Sequence, residues 1–309
     1  MNAPIHTESL SKRFGRTVAL DSVTLAVPEG AIYALVGANG AGKTTLIKLL
    51  MNILRPTAGS AQVLGIPSAK FTGAAFTRIG YVSENQELPD GMTVAGMLDY
   101  FRPFYPNWDR SLEQQLVRQF ELPLKRKLKH LSRGMKMKAS FASSLAYRPS
   151  LIILDEPFSG LDPLVRDELI EGLIERAPET TIFLSSHDLA EIESFSSHVG
   201  YLQQGRLLFS EEMSTLANRF RDVTITLSSP SSLPANLPAA WLDPQTADCV
   251  LRFVDSGFNE ASSQRDLAQR FPTARDIAFE PMTLRQIFLA IAKARRNPQP
   301  SSSITEKEA

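Results

Sequence analysis

The sequence predicts an α/β fold with a helical insertion and a small α+β domain on its C-terminal side. Three observations carry that reading. The runs Ala31–Val36 and Leu151–Leu154 are continuously apolar, as strands covered on both faces of a parallel sheet are. Helical periodicities at Leu46–Leu54 and Val165–Arg176, with a further strand at Thr181–Leu184, alternate with them, and such alternation calls for right-handed crossovers. The composition then shifts twice, at Met92, where strand patterning stops, and at Ser228–Pro244, which is rich in Ser, Pro and Ala.

Taken in order, Val18, Val23, Leu25 and Val27 nearly alternate before Pro28-Glu29-Gly30 and predict an opening strand and turn. The string Gly37-Ala38-Asn39-Gly40-Ala41-Gly42-Lys43-Thr44-Thr45 then joins a buried strand to an amphipathic helix. Its glycines let backbone N–H groups close around phosphate oxygens, and the helix offers its positive N-terminal end to the same anion. Lys43 is placed to reach the β- and γ-phosphates and the Thr44 hydroxyl to hold Mg²⁺. A Gly-rich turn kept for packing alone is the plain alternative, but the full string in strand-to-helix context is a specific phosphate-loop match.

Arg55-Pro56-Thr57 stops the helix, Gly59–Gly65 predicts a turn and strand, and Ile79–Val82 a strand leading into the polar turn Ser83-Glu84-Asn85-Gln86. Met92–Phe104 and Asp109–Leu122 predict two helices of the insertion, the second capped by Asp109 with Ser111 and carrying Leu112, Leu116, Val117 and Phe120 on its apolar face. Leu131-Ser132-Arg133-Gly134-Met135 opens a third, running to about Tyr147. The expected division is a phosphate-loop domain over 1–220 with its insertion at about 88–148, an α+β domain over 221–296, and a disordered tail over 297–309, which is Pro- and Ser-rich, then charged. In the second domain Val223–Leu227 and Cys249–Val254 predict strands, Glu260–Arg270 and Leu284–Arg295 helices, and Ser228–Pro244 a loop.

Charge is balanced, with 33 Lys plus Arg against 33 Asp plus Glu, which gives no support for a nucleic-acid surface. Lys125, Arg126, Lys127 and Lys129 form one local basic run; a solvated face is its plain reading and attraction to anionic lipid the alternative. The single cysteine, Cys249, admits no internal disulfide and is expected as a small buried thiol in a reducing compartment. Met1–Leu10 has no secretory pattern, and no uncharged apolar run approaches the ~20 residues of a membrane span.

The carboxylates Asp155 and Glu156 end an apolar strand. In a phosphate-loop fold that position suits Asp155 to hold Mg²⁺ and Glu156 to polarise the attacking water. Ser159-Gly160-Leu161-Asp162 follows at once. His187, after Ser185-Ser186 at the end of the next strand, could meet a γ-phosphate, and the helix opened by Ser132 offers a second anion site.

The ordered set of phosphate loop, Glu84 turn, Leu-Ser-x-Gly string, Asp155-Glu156, Ser159–Asp162 and His187 resembles the ATPase subunit of ABC transporters over about Ile5–Met213. Phe104-Tyr105-Pro106-Asn107-Trp108-Asp109, Leu131–Lys136 and the appended domain are most similar to the ABC-2 type exporter branch. The resemblance implies a P-loop NTPase fold of the ABC type, with ATP and Mg²⁺ as cofactors. It implies a head-to-tail dimer in which Ser132 and Gly134 of one subunit cover ATP held by Lys43 of the other. It also implies that Phe14 stacks on adenine, Glu156 is the general base and His187 touches the γ-phosphate, with Asp162 beside the nucleotide. Transmembrane permease subunits would be the partners, at the cytoplasmic face of the membrane. Glu84 stands where most members have Gln, as a third Mg²⁺ ligand beside Thr44 and Asp155; Gln86 is the rival register. Arg133 and Met135 replace Gly and Gln of the Leu-Ser-Gly-Gly-Gln string. A soluble ABC ATPase acting in translation or DNA repair is the alternative function, and a binding-only subunit a third, though one that would ordinarily lack Glu156 or His187.

Overall fold

A computed structural model describes residues 3–84, 86–229 and 237–296. The expected tail over 297–309, and residues 230–236 of the expected loop, lie outside them. The chain divides into two compact units, Met1–Glu211 and Glu212–Ala309.

The first unit is built on two sheets. The smaller is antiparallel, in the order β2-β1-β4-β5, from β1 (Ile5–Phe14), β2 (Thr17–Val27), β4 (Ala58–Val63) and β5 (Ile66–Pro67). The larger, in the order β10-β9-β3-β8-β7-β6, uses β3 (Ile32–Val36), β6 (Ile79–Ser83), β7 (Leu151–Asp155), β8 (Thr181–Ser186), β9 (His198–Gln203) and β10 (Arg206–Glu212). The strands β3, β7 and β8 are buried at every residue, which is why their sequences do not alternate. Helix α1 (Lys43–Leu50) buries Leu46, Ile47, Leu49 and Leu50 in one core with Leu20, Val23, Leu25, Tyr33, Leu35, Ile153 and Phe183. It ends at Leu50, before the Arg55-Pro56 stop that the sequence suggests. The short helices α2 (Gly73–Phe76) and α7 (Leu189–Glu193) and the helix α6 (Pro163–Ile174) complete the crossovers.

The opening strand of the sequence reading is β2; β1 precedes it unannounced, because bulges between Thr7 and Leu10 and between Leu10 and Lys12 break its alternation. The insertion holds three helices, α3 (Val94–Phe101), α4 (Arg110–Gln119) and α5 (Arg133–Leu145). Thr93, Asp109 and Ser132 cap them, each accepting a hydrogen bond from a first-turn N–H. The Leu112 N–H and the Arg148 guanidinium hold the Asp109 carboxyl below the ordinary aspartate value.

The second unit begins with α8 (Met213–Arg219) and forms an antiparallel sheet in the order β12-β13-β11-β14 from β11 (Arg221–Leu227), β12 (Trp241–Ala247), β13 (Val250–Asp255) and β14 (Ala274–Pro281). Helix α9 (Glu260–Arg270) packs Leu267 against Val223, Ile225, Trp241, Leu251 and Phe253, and α10 (Leu284–Arg296) follows. The loop expected over Ser228–Pro244 does not extend that far, since residues 241–244 belong to β12. Its Pro244 is tolerated because β12 is an edge strand whose register shifts between Leu242 and Gln245. Cys249 is free and half-buried rather than the buried thiol expected. No helix among the described residues is long and apolar enough to cross a membrane.

Candidate nucleotide site

Parallel pairing places the site. Strands β6, β7, β8, β3 and β9 run the same way, so the residues at their C-terminal ends gather on one edge, where ligands bind in open α/β sheets. Val36 leads into the phosphate loop, and the registers Ser83↔Asp155 and Asp155↔Ser185 put three strand ends side by side.

Gly42 caps α1 with φ +108°, and a Cβ there would lie 2.6 Å from the Ala19 carbonyl oxygen. Only glycine fits that turn. Gly42→Ala is expected to cost about 2 kcal/mol or more in stability, read as a lower thermal midpoint together with lost ATP binding. Ala38, Asn39 and Gly40 are exposed, whereas Gly37, Ala41 and Lys43 are buried and Thr45 is half-buried.

Lys43 Nζ donates to the carbonyls of Gly37 at 2.6 Å and Ala38 at 3.3 Å and pairs with Glu156 Oε1 at 3.0 Å. All three ammonium protons are therefore directed by the loop and the carboxylate. The second carboxylate oxygen, Oε2, accepts from His187 Nδ1 at 2.7 Å. Glu156 thus sits between the loop's cation and the histidine, on left-handed backbone at φ +51°, a conformation that costs about 1 kcal/mol in a non-glycine residue. Its N–H is held by Ser185 Oγ at 2.9 Å.

Thr44 Oγ1 donates to Asp155 Oδ1 at 3.1 Å, and Ser185 Oγ donates to the same oxygen at 2.7 Å. Asp155 is 6% exposed. A hydroxyl and a carboxylate this close are the hard oxygen pair that Mg²⁺ accepts beside phosphate oxygens. Thr44, Lys48, Tyr81, Ser83, Glu84, Asp155 and Glu156 line one cavity of about 260 Å³. Burial, reinforced by the Asp155 charge, pushes the Tyr81 phenol up, so it stays protonated there.

Other expected residues fall differently. Glu84 lies in the cavity, but its Oε1 accepts from Arg133 Nη2 at 2.7 Å and Ser159 Oγ at 3.0 Å. The rival Gln86 has a buried Oε1 with no hydrogen-bond partner among the described residues. Asp162 caps α6, accepting from the Val165 N–H at 3.1 Å. Ser132 is exposed and its Oγ accepts from the Met135 N–H, while Gly134 is buried, with Val165 3.1 Å from the position of a Cβ. Phe14 is 48% exposed, and Lys12 Nζ stands 5.1 Å from its ring centroid. Lys48, which lines the same cavity, and Ser185 lie outside the motifs legible in the sequence. For Ser185 the available signal was a small hydroxyl ending a buried strand next to the one that carries Asp155.

A phosphate loop, an acidic strand end and a histidine on one sheet edge define a nucleoside-triphosphate hydrolase. The ABC transporter family profile matches residues 20–159. The chain is 33% identical over 276 residues to the bacitracin transport ATP-binding protein BcrA of Enterococcus faecalis, covering 87% of this chain and 90% of that one. It is 29% identical to the ABC transporter ATP-binding protein YtrB of Bacillus subtilis, over 74% and 79% of the two chains. A solved structure of the ATP-binding subunit of an ABC transporter superposes with a TM-score of 0.64 at 30% identity, over 69% of this chain and 91% of that one. The chain therefore belongs to the ABC transporter ATP-binding family. It binds ATP and is the ATPase of a transporter, not a translation or DNA-repair factor.

Proposed function

We propose that this ATPase drives export through separately encoded transmembrane permease subunits, working as a head-to-tail pair on the cytoplasmic face of the membrane with Mg²⁺ bound by Thr44 and Asp155. The Lys43–Glu156–His187 array carries the reading, because it sets one carboxylate beside the cation that would hold the γ-phosphate. Bound Mg²⁺ would neutralise charge on the phosphates. Glu156 would take a proton from the attacking water, and His187 would keep that carboxylate oriented. Glu84 is left out of the proposed metal set, because its Oε1 is already engaged by Arg133 and Ser159.

For partners, the exposure of Ser132 at the start of α5 suits contact with a second subunit's nucleotide, while Gly134 would contribute through the close packing that fixes the helix start. Exposed Tyr100 and Phe104, at 51% and 59%, suit a permease helix. Similarity to a bacitracin transport protein and to a probable multidrug transporter protein makes bacitracin and other drugs the cargo to try first.

The arrangement is tested by cross-linking. In a Cys249→Ser background, Ser132→Cys on one chain and Gly40→Cys on another should form a disulfide when ATP is added. A yield unaffected by ATP would count against the head-to-tail pair.

A further inference from the structure

Two residues 49 positions apart in the sequence meet in the fold. Arg133 Nη2 and Glu84 Oε1 form an ion pair at 2.7 Å. Ser159 Oγ donates to the same oxygen, and a Cβ at Gly160, where φ is +65°, would lie 3.2 Å from Arg133 Nη1 and 3.3 Å from Cζ. The guanidinium therefore packs against the loop after Glu156 while it holds the carboxylate at the end of β6. Glu84 is tied to the active strand from its other side as well, since its N–H donates to the Asp155 carbonyl at 2.9 Å.

The geometry points to Arg133 as a positioning residue. It neutralises Glu84 and holds it aside, so that a carboxylate can stand in the nucleotide cavity without repelling the triphosphate. This rests on Lys43, Thr44 and Asp155 being the nucleotide site. Glu84 shares the cavity of about 260 Å³ with Thr44, Asp155 and Glu156, so a γ-phosphate and its metal must approach it. An uncompensated carboxylate would add a third negative charge there, after Asp155 and Glu156. A carboxylate paired with a guanidinium adds none, which makes the pair electrostatically equivalent to an uncharged amide at 84 with an uncharged residue at 133. The same contact joins the first residue of α5 to the ends of β6 and to the Ser159 loop. The charge at the metal side and the placement of the helix start are thereby set by one interaction.

The test is a double-mutant cycle on the full chain, using Glu84→Gln, Arg133→Ala and the double variant. One readout is equilibrium binding of the Mg²⁺ complex of a non-hydrolysable ATP analogue. Arg133→Ala should weaken binding about tenfold, as one unmasked carboxylate near a triphosphate implies, and Glu84→Gln alone should not weaken it. The double variant should return to within about twofold of wild type, and the Arg133→Ala defect should shrink in about 0.5 M salt. A purely structural role for Arg133 would not be rescued by removing a charge elsewhere, so a double variant as weak as Arg133→Ala overturns the proposal. The second readout is the thermal midpoint without nucleotide. There the double variant should melt no lower than Arg133→Ala, and a loss equal to the sum of the two single losses overturns the pairing. Because this readout needs no nucleotide, a failure of ATP binding in wild type would fall on the nucleotide-site reading, while the thermal cycle still judges the pair.

Discussion

Lys43→Ala is expected to weaken ATP binding by roughly a hundredfold or more, the equivalent of about 3 kcal/mol for a lost charge-assisted contact. Two effects act in the same direction. The variant removes the ammonium that the Gly37 and Ala38 carbonyls aim into the loop, and it strips Glu156 of the partner 3.0 Å from its Oε1. The freed carboxylate, only 13% exposed, then faces the incoming triphosphate as a second anion. Isothermal titration with Mg-ATP measures the loss, and near-wild-type affinity would remove the phosphate-loop reading. The double variant Lys43→Ala/Glu156→Gln separates the two effects. Binding should recover in part, because the repulsive component goes and the missing ammonium stays.

The parts of this site that were legible in the sequence are those whose chemistry is local. The phosphate loop and the Asp155-Glu156 strand end each carry their own strand, turn and residue types within about ten positions, so spacing alone predicts where they lie. Helix starts at Asp109 and Ser132 were legible for the same reason, since a cap is a contact two or three residues long. What was not legible depends on register or on distant pairing. Ser185 supports Asp155 because β7 and β8 pair in parallel with Asp155 opposite Ser185, which no window around either residue contains. The Arg133–Glu84 pair needs the insertion to fold back onto the end of β6. Strands escaped notice where bulges or prolines spoil alternation, as in β1 and at Pro244 in β12. The strand β9 escaped because His198-Val199-Gly200-Tyr201 has a glycine at its centre, where a Cβ would lie 2.1 Å from the Tyr33 hydroxyl oxygen.

Glu156→Gln is expected to separate binding from chemistry. An amide cannot accept the water's proton, so turnover should fall about 10²- to 10⁴-fold, the usual range for a lost general base. Affinity should move the other way from Lys43→Ala. The ion pair that Lys43 makes with Glu156 competes with any phosphate for the same ammonium, and an amide competes less, so ATP should bind as tightly as in wild type or tighter. The histidine provides a control, because its Nδ1 hydrogen bond to Oε2 at 2.7 Å can persist to an amide oxygen. His187→Ala should therefore lower the rate less than Glu156→Gln does. With hydrolysis slowed and phosphate contacts intact, ATP should accumulate between two subunits, and sedimentation should show the variant shifting from monomer to dimer when Mg-ATP is added. Two results would break this account. Residual ATPase within a few-fold of wild type would take the general-base role from Glu156. A variant that binds ATP tightly yet stays monomeric at saturation would leave the catalytic assignment standing and remove the self-paired head-to-tail assembly.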